Sequence, residues 1–173
     1  MSQIPDSKTC LALLQQAGCS DLVITHCKAV REVAVRIAVR AKANVELVNA
    51  GSLLHDIGRS RTQGILHGVE GARIAQELHL PESIVHIIER HLGAGIPKNE
   101  AVALGLPARD FLPLTLEEKI VAHADNLINS DRQQPIENEV AKALKKGQKA
   151  HAARLLQLHH ELSDICGIDL NMI

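Results

Sequence analysis

A histidine and an aspartate stand side by side in an otherwise apolar stretch, Leu53-Leu54-His55-Asp56-Ile57-Gly58. The residues from Leu47 to Leu54 predict a buried helix, which places the imidazole and the carboxylate at its last turn, facing the protein interior. A buried carboxylate without a partner is costly, and a paired charge or a bound metal is the usual solution. The alternative is a carboxylate that only hydrogen-bonds the backbone at a turn. Gly58 fits a left-handed residue that ends the helix.

Further candidate ligands lie on the apolar faces of other predicted helices. They are His26, His67, His91 and Asp125. His26 precedes the buried-type residue Val30 by four positions, and Asp125 lies four positions after Val121, which is the spacing of one helical face. His86 falls on the polar side of the helix before His91, so we predict that it lies at the surface.

The three remaining histidines with a clear helical phase lack a matching acidic partner. His123 points away from Asp125 and is predicted to be structural, and His159-His160 is predicted to be an exposed or interface pair. The six candidate ligands named above use imidazole nitrogen and carboxylate oxygen, which suit Fe, Mn, Zn or Co rather than Ca. Six ligands are too many for one open catalytic metal but suit a pair bridged by an aspartate. Two metals roughly 3.5–4 Å apart can activate water and stabilise a phosphoryl displacement.

The elements that must position these ligands are all predicted to be helices. Helix starts are predicted at Asp6 or Ser7, at Ser20 or Asp21, at Asn44, near His67, after Pro81 and at Thr115, with two more helices over about 135–146 and 149–165. Gly51 indicates close approach of a neighbouring helix. The Gly- and Pro-rich segment Gly93–Leu114 predicts an irregular connection with a short helical turn near Glu100–Leu104, bordering the site.

Composition excludes several classes of function. The chain has 173 residues, 46% hydrophobic and 23% charged, with a net charge of −1, which predicts one domain without a strong nucleic-acid or membrane signal. No apolar run reaches the roughly 18 residues of a membrane span, and no secretory signal is visible. The four cysteines have no metal or redox spacing, so we expect reduced thiols in a cytoplasmic protein. Phe111 is the only aromatic residue, which argues against base stacking on aromatic side chains. The lysines Lys142, Lys145, Lys146 and Lys149 cluster near a predicted helix end, where they complement the helix dipole.

The order His, His-Asp, Asp, with the local sequence His55-Asp56-Ile57-Gly58, resembles the HD superfamily of metal-dependent phosphohydrolases in its HDIG form. The stretches 66–72 and 115–121 also resemble small, stand-alone HDIG proteins of archaea and bacteria. The resemblance covers about residues 21–128; an N-terminal helix (1–20) and the C-terminal helices (129–173) flank it. It implies an all-α fold, a single-domain helical bundle over 1–173 with a central metal site.

Carried over to this sequence, the resemblance implies a first metal held by His26, His55, Asp56 and Asp125. Asp56 would bridge to a second metal completed by His67 and His91. Arg59, where relatives often have lysine, would act with Asp56 in catalysis, and Arg59 and Arg61 would bind the substrate phosphate. The chain has no tyrosine, so it lacks the Gly-Tyr-Pro signature of the cyclic-di-GMP branch.

The predicted function is hydrolysis of a phosphoester or phosphoanhydride bond in a nucleotide-like substrate by metal-bound hydroxide. The cofactor is predicted to be divalent transition metal, two ions of Fe, Mn, Zn, Co or Ni. Two alternatives stay open: a di-iron oxygenase, since some superfamily members use the same ligands to activate oxygen, and a non-catalytic metal-binding regulatory protein. The apolar stripe Leu155, Leu156, Leu158 and Leu162 could pack on the core or on a second subunit of a homodimer.

Overall fold

Helices dominate the chain, as the sequence predicts. The computed structural model describes residues 3–173, and nine α-helices cover most of that range. Their bounds are α1 (Ser7–Ala17), α2 (Asp21–Ala41), α3 (Val45–Leu54), α4 (His67–Glu77), α5 (Glu82–Arg90), α6 (Lys98–Ala103), α7 (Leu116–Asn126), α8 (Ile136–Lys145) and α9 (Lys149–Cys166). A two-residue antiparallel ribbon, β1 (Ile128–Asn129) and β2 (Arg132–Gln133), was not predicted because it is too short to show alternation. The all-α fold class is confirmed.

The predicted helix starts are set by local capping. The side chains of Asp6, Ser20, Asn44 and Thr115 each accept a hydrogen bond from the backbone N–H three residues further on. The capping box at Thr115 differs in one detail. Glu118 accepts from the N–H of Leu114 at 2.8 Å, and its two carboxylate oxygens also bind Arg90, at 3.0 and 3.2 Å. Because Glu118 binds both Leu114 and Arg90, it holds the start of α7 against the end of α5.

The core consists of two large apolar clusters that share three helices. One cluster joins α2 and α7 to α8 and α9, and the other joins α1 to α4 and α5. Helices α2, α3 and α5 contribute buried residues to both clusters, so they are held from two sides. A small third cluster surrounds the buried Phe111. Side chains at the ends of α3 and α5 are therefore placed by rigid supports.

Two glycines show how closely the elements around the central motif pack. A Cβ on Gly51 would lie 2.7 Å from the Cδ1 atom of Ile87, which confirms the predicted close approach of α3 and α5. The prediction for Gly58 is wrong, because this residue does not have positive φ and lies in a 3₁₀ turn over Ile57–Ser60. Its Cβ would lie 1.9 Å from the backbone oxygen of His67. Glycine is needed there because the turn after Asp56 packs directly on the start of α4.

The cysteines are free thiols, as predicted. Cys10, Cys27 and Cys166 are buried and Cys19 is partly buried. Burial raises the pKa of Cys10 to about 12, so its thiol is protonated at neutral pH. Within residues 3–173, no helix has both the length and the apolar character that crossing a membrane requires.

Candidate metal centre

The structure brings all six predicted ligands to one place between the two apolar clusters. The ligands come from five helices: His26 from α2, His55 from the end of α3, Asp56 from the residue after it, His67 from the start of α4, His91 from the residue after α5, and Asp125 from α7. Four of the six are buried. His26 and Asp125 are partly exposed, with 18% and 24% of their side chains accessible. The centre therefore opens to solvent on the side of α2 and α7.

Three of the histidines are oriented by the same local hydrogen bond. The Nδ1 atoms of His55, His67 and His91 each lie 2.7–2.8 Å from the backbone carbonyl oxygen three residues earlier. A carbonyl oxygen only accepts, so Nδ1 must carry the proton. When the ring is neutral, the lone pair is then on Nε2, which is the form in which histidine binds a metal. This i−3 contact is local, and a histidine at the end of a helical turn is the sequence signal for it.

His26 reaches the same state through a distant partner. Its Nδ1 atom lies 2.6 Å from the carbonyl oxygen of Ser130, which has positive φ in the turn between β1 and β2. Its Nε2 atom lies 2.9 Å from Oδ1 of Asp125. No local pattern predicts the Ser130 contact, because the two residues are 104 positions apart.

The two oxygens of Asp56 face different pairs of histidines. Oδ1 lies 3.1 Å from Nε2 of His67 and 3.5 Å from Nε2 of His91. Oδ2 lies 3.7 Å from Nε2 of His55 and 3.9 Å from Nε2 of His26. Each oxygen of Asp56 therefore faces its own pair of imidazoles.

Lone pairs converge here without enough protons between them. The Nε2 atoms of His67 and His91 are 3.1 Å apart. Nε2 of His55 and Oδ1 of Asp56 are buried and have no hydrogen-bond partner among the described residues. Two sets of three residues each have donor atoms that lie within 4.8 Å of one another. One set is His26, His55 and Asp125, and the other is His55, Asp56 and His91. The described residues thus contain His/Asp clusters that could hold a metal, and the donor chemistry fits a divalent transition ion.

The pKa shifts follow from the same crowding. Burial lowers the pKa of His55, but the charge of Asp56 outweighs it and holds that pKa well above the usual value of 6.5. Burial raises the pKa of Asp56, but the charge of His55 and the nearby imidazoles of His67 and His91 bring it far below 3.8. Burial also raises the pKa of Asp125, but His26 and His55 outweigh this effect and lower that pKa below 3.8. Both carboxylates are ionised, so the site attracts a cation.

The two predicted arginines lie in different surroundings. Arg59 donates from Nε to Oδ2 of Asp56 at 2.7 Å, and its side chain is 31% exposed. Its Nη2 atom has no partner among the described residues. Arg61 instead pairs with Glu77 at 2.7 Å and with Glu70 at 3.7 Å. The structure therefore brings Arg59 to the ligands but not Arg61, whose role in substrate binding stays a prediction.

A cleft of about 820 Å³ leads from the centre. Its wall includes Arg59 and Asp125, and the apolar residues Ile65, Leu92, Ile96, Leu104 and Ile128. It also includes residues 146–151, the α8–α9 connection with the first residues of α9, which we call the α8–α9 turn. Leu104 and Ile96 belong to the irregular segment that the sequence predicted to border the site. The α8–α9 turn was not predicted to do so, because its lysines matched a helix-dipole pattern. A cleft of this volume is in the range of small-molecule sites.

The histidines predicted to lie outside the site do so. His86 is partly exposed, with Nε2 3.5 Å from Glu82. His123 is buried and contacts Nδ1 of His159 at 3.0 Å. The prediction that His159 is exposed is wrong, since it is only 4% accessible and also binds Asp169. The sequence missed this contact because Asp169 lies beyond the end of α9, where helical spacing no longer applies.

The fold is helical, and five of its helices bring imidazole and carboxylate side chains together in a candidate metal centre. A family model described as HD domain matches residues 23–130. The chain belongs to the HD domain family, which confirms the resemblance inferred from the sequence.

Similarity to individual proteins extends beyond the family model. A protein of Thermoplasma volcanium named tRNA (cytidine(56)-2′-O)-methyltransferase is 47% identical over 98% of this chain, which spans only 50% of that protein. An uncharacterised protein of Methanocaldococcus jannaschii is 50% identical, over 85% of this chain and 91% of its own length. The region shared with the first relative thus includes α1, α8 and α9, and the chain spans about half of that relative's length.

A solved structure has the same fold at low sequence identity. It is the HD domain of the Listeria monocytogenes phosphodiesterase PgpH, in complex with cyclic-di-AMP. The match has a TM-score of 0.57 and 19% identity, and covers 91% of this chain and 96% of that one. This likeness concerns the fold, since identity at this level does not carry a substrate across.

Proposed function

We propose that the chain is a metal-dependent phosphohydrolase that cleaves a phosphoester or phosphoanhydride bond of a nucleotide-like substrate with water. The observation that carries the proposal is the division of Asp56, with one oxygen toward His67 and His91 and the other toward His26 and His55. Membership of the HD domain family supports the same reaction class.

Each ligand has a defined role in this proposal. His26, His55, Asp56 and Asp125 would hold one ion, and Asp56, His67 and His91 the other. Two such ions would lower the pKa of a coordinated water to around 7 and offset negative charge on the phosphoryl oxygens. The Nδ1 hydrogen bonds keep the imidazoles fixed in the metal-binding tautomer, so little reorganisation accompanies binding.

Arg59 would bind the phosphoryl group. It lines the cleft and is anchored through Nε to Asp56, which leaves the Nη2 N–H groups available for an oxyanion. A guanidinium held at the edge of the ligand set offers charge-assisted hydrogen bonds to a phosphate. The cleft beyond it would hold the leaving group.

The experiment is a metal analysis joined to a substrate screen. The purified chain is loaded with Fe, Mn, Co, Ni, Zn or Mg and assayed on phosphomonoesters, nucleotides and dinucleoside polyphosphates, with Asp56→Asn as control. We expect turnover with at least one transition metal and none in the variant. No turnover under any loading would overturn the proposal, and turnover that requires iron and consumes oxygen would favour the di-iron oxygenase.

Isotope labelling tests the chemistry once a substrate is found. A single turnover in ¹⁸O-water should place one solvent oxygen in the released phosphoryl group, because water attacks phosphorus directly. A trapped phosphoryl-enzyme would contradict this mechanism. The chain offers no activated serine or cysteine at a known motif spacing that would form one.

The name of the Thermoplasma relative favours RNA as a second partner. The composition predicts no strong nucleic-acid signal, whereas that relative is named for tRNA. Methyl transfer needs a bound methyl donor, which the His/Asp centre does not provide for, so we propose that the named activity belongs to the other half of that longer protein. Gel-shift and hydrolysis assays with tRNA decide whether RNA reaches the cleft; the absence of both binding and cleavage would remove RNA from the proposal.

A further inference from the structure

The cleft joins two regions of different charge. At the metal centre its wall contains Asp125 and Arg59, and Arg59 is already neutralised by Asp56. At the α8–α9 turn its wall contains Lys146 and Lys149. The α8–α9 turn packs against the segment that follows His91. A Cβ on Gly93 would be only 2.3 Å from the ring of His151.

The two lysines are the cations of this wall that have no acidic partner. Neither forms an ion pair with a residue in the range 3–173, and the first turn of α9 carries no acidic side chain. The acidic residues nearby are already satisfied: Glu100 binds Arg154 at 2.9 Å, and Glu139 binds Lys142 at 2.6 Å. The net effect is a positive region at this end of the cleft.

A further part of the cleft wall is apolar. Ile65, Leu92, Ile96, Leu104 and Ile128 face the cleft there, and Ile65 and Leu104 are 37% and 43% exposed. An aliphatic surface of this kind suits the flat face of a base or a ribose carbon frame without aromatic stacking. A cleft with this lining suits a ligand that carries two anionic groups and a less polar portion.

We propose that the α8–α9 turn is a subsite for a second phosphate, and that the chain prefers nucleotides with two separated phosphate groups. The inference rests on the proposed function, which places the reacting phosphate at the metal centre. Lys146 and Lys149 bind the other phosphate as point charges. The nucleoside that joins the two phosphates lies on the apolar wall. Free nucleoside bisphosphates and the end of an oligoribonucleotide share this chemistry.

Calorimetry with defined ligands tests the subsite apart from turnover. The metal-loaded chain is titrated with AMP, with adenosine 3′,5′-bisphosphate and with a 5′-phosphorylated triribonucleotide, and the same three are titrated into Lys146→Ala/Lys149→Ala. We expect the bisphosphate to bind about tenfold more tightly than AMP, and the double variant to lose that advantage while AMP affinity stays the same. The triribonucleotide distinguishes the sources, because it gains over the bisphosphate only if an RNA end is bound.

Lys145→Ala is the matched control. Lys145 is exposed on the same helix end and does not line the cleft, so its loss should leave the preference unchanged. Equal affinity for AMP and the bisphosphate, no binding of either, or an equal loss in Lys145→Ala would each overturn the subsite. Loss of turnover with the binding preference retained would instead count against the proposed hydrolysis alone.

Discussion

Two groups of histidines differ in where their lone pairs point. In the candidate metal centre, four imidazoles donate from Nδ1 to backbone carbonyls, so in the neutral rings four Nε2 lone pairs face two carboxylates. The second group, which we call the histidine chain, consists of His123, His159 and Asp169. Its hydrogen bonds run in one direction, from His123 to His159 at 3.0 Å and from His159 to Asp169 at 3.0 Å. Only Nδ1 of His123 is left without a partner in the described range.

Burial of histidines does not by itself make a metal site. The histidine chain satisfies its own donors and ends at Asp169, which is 59% exposed. Burial and the charge of His159 lower the pKa of His123 to about 3, so that ring stays neutral. The candidate metal centre instead holds several acceptors together with too few donors, an arrangement that a bound cation would relieve.

The largest effect is expected from Asp56→Asn, which removes a charge shared by both halves of the centre. Loss of an outer partner alone typically lowers metal affinity by roughly 10–100-fold, so loss of a ligand common to both ions should exceed about 100-fold. Metal content by mass spectrometry should fall from both sites. A variant that keeps full metal content would show that the oxygens of Asp56 do not bridge.

Gly58→Ala tests the packing that holds this centre together. A Cβ would lie 1.9 Å from the backbone oxygen of His67 and 2.5 Å from the backbone nitrogen of Gly71, and backbone atoms cannot easily move aside. We expect a loss of about 3 kcal/mol or more in the free energy of unfolding, measured with urea. Gly64→Ala is the control, since the nearest atom to its Cβ is 3.9 Å away. Equal stability of the two variants would contradict the close contact.

His91→Ala and His86→Ala separate a ligand from a surface histidine on one element. His91 is 1% accessible and faces Oδ1 of Asp56, whereas the side chain of His86 is 34% exposed. His91→Ala should weaken binding of the second metal by roughly 10–100-fold, and His86→Ala should leave it unchanged. Similar metal affinities in the two variants would show that His91 is not a ligand.

His159→Ala should have the opposite signature from a metal ligand. It leaves the buried Nε2–H of His123 without an acceptor, which typically costs about 1–3 kcal/mol. The melting temperature should fall while metal content and metal affinity stay as in the parent. His160→Ala, at the exposed neighbouring position, should change neither quantity. Loss of metal in His159→Ala would mean that the histidine chain supports the centre directly.

The smallest effect is expected at the exposed end of the histidine chain. Hydrogen bonding to the N–H of Asn171 and to His159 lowers the pKa of Asp169 below 3.8. A lowered pKa adds stability above the unfolded-state value, and that stability is lost as pH falls through the folded-state value. Asp169→Asn should therefore cost less than about 1 kcal/mol at pH 7, and the difference should disappear as the pH falls through the folded-state pKa of Asp169. A difference that grows on acidification would contradict the sign of this shift.

Local signals in the sequence predicted the positions of the candidate ligands and most helix boundaries. His55 and Asp56 stand out because polar residues within an apolar helical run must be satisfied in the interior. The caps at Asp6, Ser20 and Asn44 act within three residues, so they can be recognised without knowledge of the fold. Helical period also separates His91 from His86. These features depend on neighbours along the chain, and the structure agrees with them.

Only the tertiary structure decided how the ligands meet and what surrounds them. The division of Asp56 between two histidine pairs depends on where α2, α4 and α5 cross. The contact of His26 with Ser130 joins residues 104 positions apart, and the burial of His159 depends on α7 packing beside α9. Gly58 is needed for its close packing on α4 rather than for a left-handed helix end. The place of Lys146 in the cleft wall also depends on packing. Chain spacing carries helical phase, whereas distances between helices follow from the packing of two apolar clusters, which no local pattern contains.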